Sequence, residues 1–446
     1  MQADSQTAIA RRFIATARDR TYPDAVIDAA RQSLVDWTAV CIGAYQAPEA
    51  RTISRVVANW QGRGKSRFLW GGTSNTASTA LVNGTLSHCL DYDDTHIPSV
   101  IHISGPLWAA TLALGTEHGA TEDVLLKAFI TGFEVAARLG DKGTGIRLNN
   151  SGWHATPSLG GVGAAAAAAV VLNLTEERIE HALGIAATQA GGLTASFGTM
   201  SKPFHAGKVA MDAVLAAELA AEGFEGPLGI LDCDSALVRT LLQDPAATLD
   251  MDPFEQAWEI TRNSFKPYAA CQLTHAAVDA ARASAAAWNG RPIKSIRAYV
   301  NPLAVKVANL RDARTSTEGK FSMGFCIALA LSGYPITIRD FAADRLNDPG
   351  LQAIAQCVES VADENVSRTS ARLEIKLADG ETLSRTVEHA FGSIGNPLGW
   401  RELDEKFAAV VSDVLPARAE TLLDTLHHFE LPGSMAKMFQ QTALSA

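Results

Sequence analysis

Residues 158–172 read SLGGVGAAAAAAVVL, a run with no charge and almost no large side chain. Such a stretch offers little side-chain surface, so it packs well only where whole backbones come close to it. It is too short and too poor in large apolar residues to span a bilayer. The spacing Gly161-x-Gly163-x-x-Ala166 imitates a dinucleotide-binding loop. No strand precedes it, however, and no acidic residue follows a second strand. Tight helix packing is the reading that stands.

The same character runs from the start of the chain to about residue 265. Segments 24–44, 77–90, 107–119, 123–140 and 177–192 are rich in Ala and Leu, with apolar residues three and four apart and Gly between segments. The pattern then changes. IKSIRAYVNP (293–302) is β-branched and bounded by prolines, and PGLQAIAQCVESV (349–361) reads as an amphipathic helix. ARLEIKLADGETLSRTVEH (371–389) alternates through Leu373, Ile375 and Leu377, turns at Asp379-Gly380 and returns as a second strand. Beyond GSIGNPLGW the helical pattern resumes in 401–415 and 419–429. The expected fold class is mainly α. A large helical domain, 1–265, is completed by 395–446, and 266–394 forms a smaller α+β domain with a β-hairpin.

With 446 residues, 47% of them hydrophobic, the chain can bury a core in each domain. A formal net charge of −10 argues against nucleic acid or an anionic membrane as partner. It leaves a small anionic ligand open, because a few local cations override the mean field. The opening MQADSQTAIARRF lacks an apolar stretch after a basic start and does not read as a secretory signal. Cys41, Cys89, Cys233, Cys271, Cys326 and Cys357 form no C-x-x-C pair. Reduced thiols in a cytoplasmic protein fit this better than a disulfide framework or a zinc ribbon.

Chemistry-bearing residues gather in a few short strings. HCLDYDDTH (88–96) carries Asp91, Asp93 and Asp94 between two histidines. Its local spacing suits a metal poorly, since the three carboxylates are too close together to converge from a helix and no H-x-x-x-H pair is present. Two readings remain: a helix end whose Asp and Thr side chains bond backbone amides, or an acid–base cluster. His102, at the end of the apolar loop IPSVIHISGP, favours the second, because apolar neighbours tune a titratable ring. His154 lies in a turn leading into the alanine-rich helix. Lys202 and His205 lie in the turn before another helix, where free amides and a lysine suit a carboxylate. His275 opens a further helix, with Thr274 as its candidate N-cap.

Taken in order, LVNGTLSHCLDYDDT, IHISGP, GWHATPSLGGVGAAAAA, GTMSKPFHAG, FKPYAACQLTH and NPLGW resemble the MmgE/PrpD family along essentially the whole chain. That family includes 2-methylcitrate dehydratase, cis-aconitate decarboxylase and iminodisuccinate epimerase, and the string is most similar to the last. The resemblance implies a helical domain built from both chain ends, an α+β lid, a homodimer, and chemistry at the domain interface with no cofactor and no metal. It also implies a small polycarboxylate substrate. It makes Asp91, Thr95 and His102 site residues, His154 a second site histidine, Lys202 a carboxylate-binding lysine and His275 a histidine of the lid. Two departures stand out. The loop from Asp91 to His102 is one residue longer than in decarboxylase-like members, and Phe325 stands where those members tend to carry tyrosine.

The family's reactions share one step, making or quenching a carbanion beside a carboxylate. The expected roles are His102 as proton-transfer residue, with Asp91 orienting it. Lys202 and His154 would hold carboxylates, Thr95 would donate to substrate, and His275 would act as a second acid or base. Epimerisation of an iminodisuccinate-like amino-dicarboxylate is the favoured outcome, with dehydration or decarboxylation as alternatives. A helical scaffold without activity is the remaining possibility. It requires that His102, Lys202 and Asp91 do not meet.

Overall fold

The computed structural model describes residues 5–251 and 254–444. The chain divides into two compact units. One comprises Met1–Asn263 with Trp400–Ala446, the other Ser264–Gly399.

The first unit is helical, and its core is made where small residues let backbones touch. Every residue of the Ala155–Val171 helix is buried. It packs on the helices Ser104–His118, Glu122–Gly140, Glu176–Thr188 and Ser201–Ala221. A Cβ on Gly163 would lie 2.6 Å from the Gly132 carbonyl oxygen, and one on Gly132 would lie 2.5 Å from that of Gly163. The helices Thr76–His88 and Ser201–Ala221 cross in the same way, since a Cβ on Gly84 would lie 2.8 Å from the Gly207 Cα. At such separations a methyl group has no room, so the glycines set the helix spacing. A short hairpin, β1 (Ser66–Arg67) and β2 (Thr73–Ser74), precedes Thr76–His88. At the far end of the chain Trp400–Val411 returns onto Asp24–Gly43, and Ser434–Thr442 adds a helix that sequence patterning does not reveal.

The second unit holds a mixed sheet in the order β4-β3-β5-β6. β3 (Ile293–Val300) runs antiparallel to β5 (Ala371–Leu377) and parallel to β4 (Val358–Ala362), and β5 turns into β6 (Thr382–Val387). The turn is at Asp379-Gly380, where Gly380 has φ 96°. Alternation on β5 buries Ala371, Leu373, Ile375 and Leu377, and the His275–Trp288 helix packs against β5 and β6. The single helix expected over 349–361 is corrected here. Pro349–Gln356 is helical, but Val358–Ala362 is the β4 strand. Two β-branched valines pair better with β3 than they extend a helix. Thr274 is also corrected. It precedes the helix, but its hydroxyl donates to the Cys271 carbonyl at 2.8 Å instead of capping.

Among the described residues no helix is long and apolar enough to cross a membrane. Cys41, Cys271 and Cys326 are buried.

Candidate active site

Thr76–His88 ends, and the chain turns sharply at Asp91, whose φ of 50° is uncommon for a residue with a side chain. The segment beyond is held by the far end of the chain. Lys406 reaches back from Trp400–Val411, donates to the Tyr92 carbonyl at 2.7 Å and pairs with buried Asp36 at 2.6 Å. Asp36 in turn accepts from the Asp94 amide at 3.2 Å. The loop closes where the His96 amide donates to the Ile101 carbonyl at 2.9 Å. His96 is structural: its ring is clamped between Ser99 at 2.9 Å and Glu259 at 3.0 Å. The loop thus returns His102 onto the segment it left, and the helix Ser104–His118 begins.

Asp93 is the hub. Its Oδ2 lies 2.7 Å from His88 Nδ1 and 2.9 Å from His102 Nδ1. Burial alone would raise the Asp93 carboxyl, but the two histidines hold it well below its ordinary value. Burial pushes His88 down to about 4 despite Asp93, with Lys202 and His102 adding to the effect. His88 is therefore neutral near pH 7 and donates its Nδ1–H to an ionised Asp93. Nδ1 of His102 also faces the Asp94 carbonyl at 3.0 Å and the Thr95 hydroxyl at 3.2 Å. The Asp93 and Asp94 oxygens can only accept, so this nitrogen carries a proton, and when the His102 ring holds one proton alone Nε2 keeps the lone pair.

The other wall comes from two helix N-termini. Lys202 lies in the first turn of Ser201–Ala221, the helix pressed by Gly207 onto Thr76–His88, and forms a buried ion pair with Asp91. His154 precedes Ala155–Val171, with its Nδ1 at 3.0 Å from His205 Nδ1. Burial holds His154 well below its ordinary value, reinforced by His88 and Lys202. Burial and Lys202 also lower His205. Phe197 stands edge-on to His154 at 5.0 Å, with the Lys202 ammonium 5.5 Å from its ring. The arrangement therefore places the Lys202–Asp91 ion pair beside the lowered imidazoles of His88, His154 and His205 and the ionised Asp93.

The residues expected from sequence distribute as follows. Asp91, Thr95, His102, His154 and Lys202 gather in the first unit, and His102, Lys202 and Asp91 do meet. His275 belongs to the second unit. It is fully buried, its Nε2 donating to the Ala270 carbonyl at 3.1 Å, with the Tyr268 ring 5.2 Å away. Phe325 is also buried there, 6.0 Å from the Phe341 ring. The carboxylates of 88–96 do not cap their own helix end, because Asp91 and Asp93 are turned onto Lys202, His88 and His102. Sequence reasoning gave no role to His88, Asp93 or His205. The only signal was that the first two bracket Asp91 and the third follows Lys202 by three. One ring nitrogen each from His88 and His102 and a carboxylate oxygen of Asp91 lie within 4.8 Å of one another. Local spacing could not show this, since His102 arrives from the far side of the loop.

Behind the hub sits Asp94, whose carboxylate accepts from Ser104 and Asn263. Burial, then Asp36, push Asp94 up to about 7. A carboxyl raised in the folded chain stabilises it fully below its unfolded value, and that contribution is lost as pH rises to about 7. Asp94→Asn removes this penalty. Relative to the parent, the variant should gain roughly 1.4 kcal/mol of stability per pH unit between about pH 4 and 7. Denaturant unfolding of both proteins across that range checks it, and a pH-independent difference would refute it.

Residues 8–250 match the MmgE/PrpD N-terminal domain and residues 268–429 the MmgE/PrpD C-terminal domain. The chain is 26% identical over 350 residues to cis-aconitate decarboxylase of Homo sapiens, covering 75% of this chain and 73% of that one. It is 23% identical over 427 residues to cis-aconitate decarboxylase of Aspergillus terreus, covering 88% and 86%. The mouse cis-aconitate decarboxylase is 27% identical over 380 residues, covering 77% and 76%. With both domain models matched in order and relatives aligned across most of its length, the chain belongs to the MmgE/PrpD family.

Proposed function

We propose that this chain is a cofactor-free acid–base enzyme that moves a proton at the carbon beside a carboxylate of a small di- or tricarboxylic acid. One observation carries the reading. His102 is held through Nδ1 by Asp93 and the Asp94 carbonyl, which leaves Nε2 to act as a base, and a ring nitrogen of His102 lies within 4.8 Å of an oxygen of Asp91, the partner of Lys202. Nε2 takes or returns the proton. Asp93, already ionised, stabilises the imidazolium that forms. Lys202 exchanges Asp91 for a substrate carboxylate and holds charge that spreads onto it. Neutral His154 adds a hydrogen bond without adding charge.

Lyase chemistry is the first reading, because the curated relatives are decarboxylases. Phe325 favours a second, an epimerase of iminodisuccinate type, since it brings no hydroxyl where decarboxylase-like members tend to carry tyrosine. Incubation with cis-aconitate, 2-methylcitrate and iminodisuccinate in deuterated water separates them. Carbon dioxide release or an unsaturated product supports a lyase. Deuterium at a retained C–H, with inversion, supports the epimerase. No turnover of any of the three would overturn this substrate class.

Lys202→Ala should raise KM as well as lower kcat, because the carboxylate is present in both ground and transition states. Steady-state kinetics on whichever substrate turns over checks this. An unchanged KM would remove Lys202 from substrate binding.

A further inference from the structure

We propose that His88, His102 and Asp91 form a binding site for a divalent transition metal of the zinc type, and that the bound ion inhibits the enzyme. The three residues already offer donors within 4.8 Å of one another. Tetrahedral ligands at ~2.1 Å from zinc lie about 3.4 Å apart, so the cluster needs to contract by at most about 1.4 Å to close on an ion.

Two further features point the same way. Asp93 occupies Nδ1 of both rings, at 2.7 and 2.9 Å. Metal-ligating histidines are commonly oriented in this way, with one nitrogen on a carboxylate and the other on the ion. The second feature is His88 Nε2, which is buried and has no hydrogen-bond partner among the described residues. A buried acceptor without a donor calls for an occupant. Two imidazoles and one carboxylate select zinc, nickel or copper over magnesium and calcium, which prefer all-oxygen sites.

Lys202 sets the affinity. Its ammonium pairs with Asp91, and a metal must displace it. Lysine and metal therefore compete for one carboxylate. Inhibition follows because the ion takes the lone pair of His102. That consequence rests on the proposed function, whereas the site itself does not.

The experiment is a calorimetric titration of chelator-stripped, full-length protein with zinc chloride in the absence of substrate, with bound metal counted by mass spectrometry. The expected result is a zinc site that His88→Gln and His102→Asn each weaken by well over tenfold. Asp93→Asn should weaken it by roughly tenfold or more. Lys202→Ala should tighten it, which mere loss of structure would not do. Circular dichroism establishes that each variant is folded, and if His88→Gln is not, His102→Asn decides. Turnover in zinc-buffered solution should fall over the concentration range of binding and recover with chelator. No binding, or binding unchanged by His88→Gln and His102→Asn, overturns the site as a surface ion only. Zinc bound at this site without inhibition would instead count against His102 as the base.

Discussion

His102→Asn should lower kcat by roughly 10²–10⁴-fold while leaving KM within a few-fold of the parent. Asparagine keeps a polar group in the loop but has no lone pair that can take and return a proton. A residue acting mainly in the transition state affects turnover more than binding. Steady-state kinetics with single-turnover controls is the measurement. Near-normal kcat would remove His102 as the base and direct attention to another group beside Asp91.

Asp93→Asn should be comparably damaging, with kcat falling by on the order of 10³–10⁴-fold, although Asp93 donates and receives no proton in the reaction. The carboxylate accepts from two rings through one oxygen, at 2.7 and 2.9 Å. An amide with its oxygen at that position still accepts from both rings but carries no charge to stabilise the imidazolium, and one with its NH2 there opposes both rings and drives the His102 proton to Nε2, removing the free lone pair. Nitrogen-15 spectra of the imidazoles read the tautomer directly. A structural role alone predicts lost stability with an unchanged tautomer. A variant with unchanged tautomer and unchanged kcat would show that the Asp94 carbonyl suffices to orient the ring.

The mainly helical character, the hairpin at Asp379-Gly380 and the return to helix after residue 400 were legible because they are local. Periodicity, turn chemistry and small-residue spacing act over a few residues, and no partner is needed to read them. The Val358–Ala362 strand was not legible. Its residues follow directly on a helix, and only the parallel partner Ile293–Val300, distant in sequence, makes them a strand.

The site divides along the same line. HCLDYDDTH and IHISGP mark where the chemistry-bearing residues lie, because such polar groups in apolar surroundings are rare and costly. Only the tertiary structure decided which carboxylate does what. The left-handed turn at Asp91 sends that side chain to Lys202, and the loop closed at His96 and Ile101 sets His102 on Asp93. Three aspartates within four positions are nearly equivalent as text. They differ once a glycine-spaced helix crossing brings an ammonium to one, a returning loop brings imidazoles to the second, and burial beside Asp36 isolates the third. Long-range packing determines the electrostatic surroundings, and no local pattern encodes those.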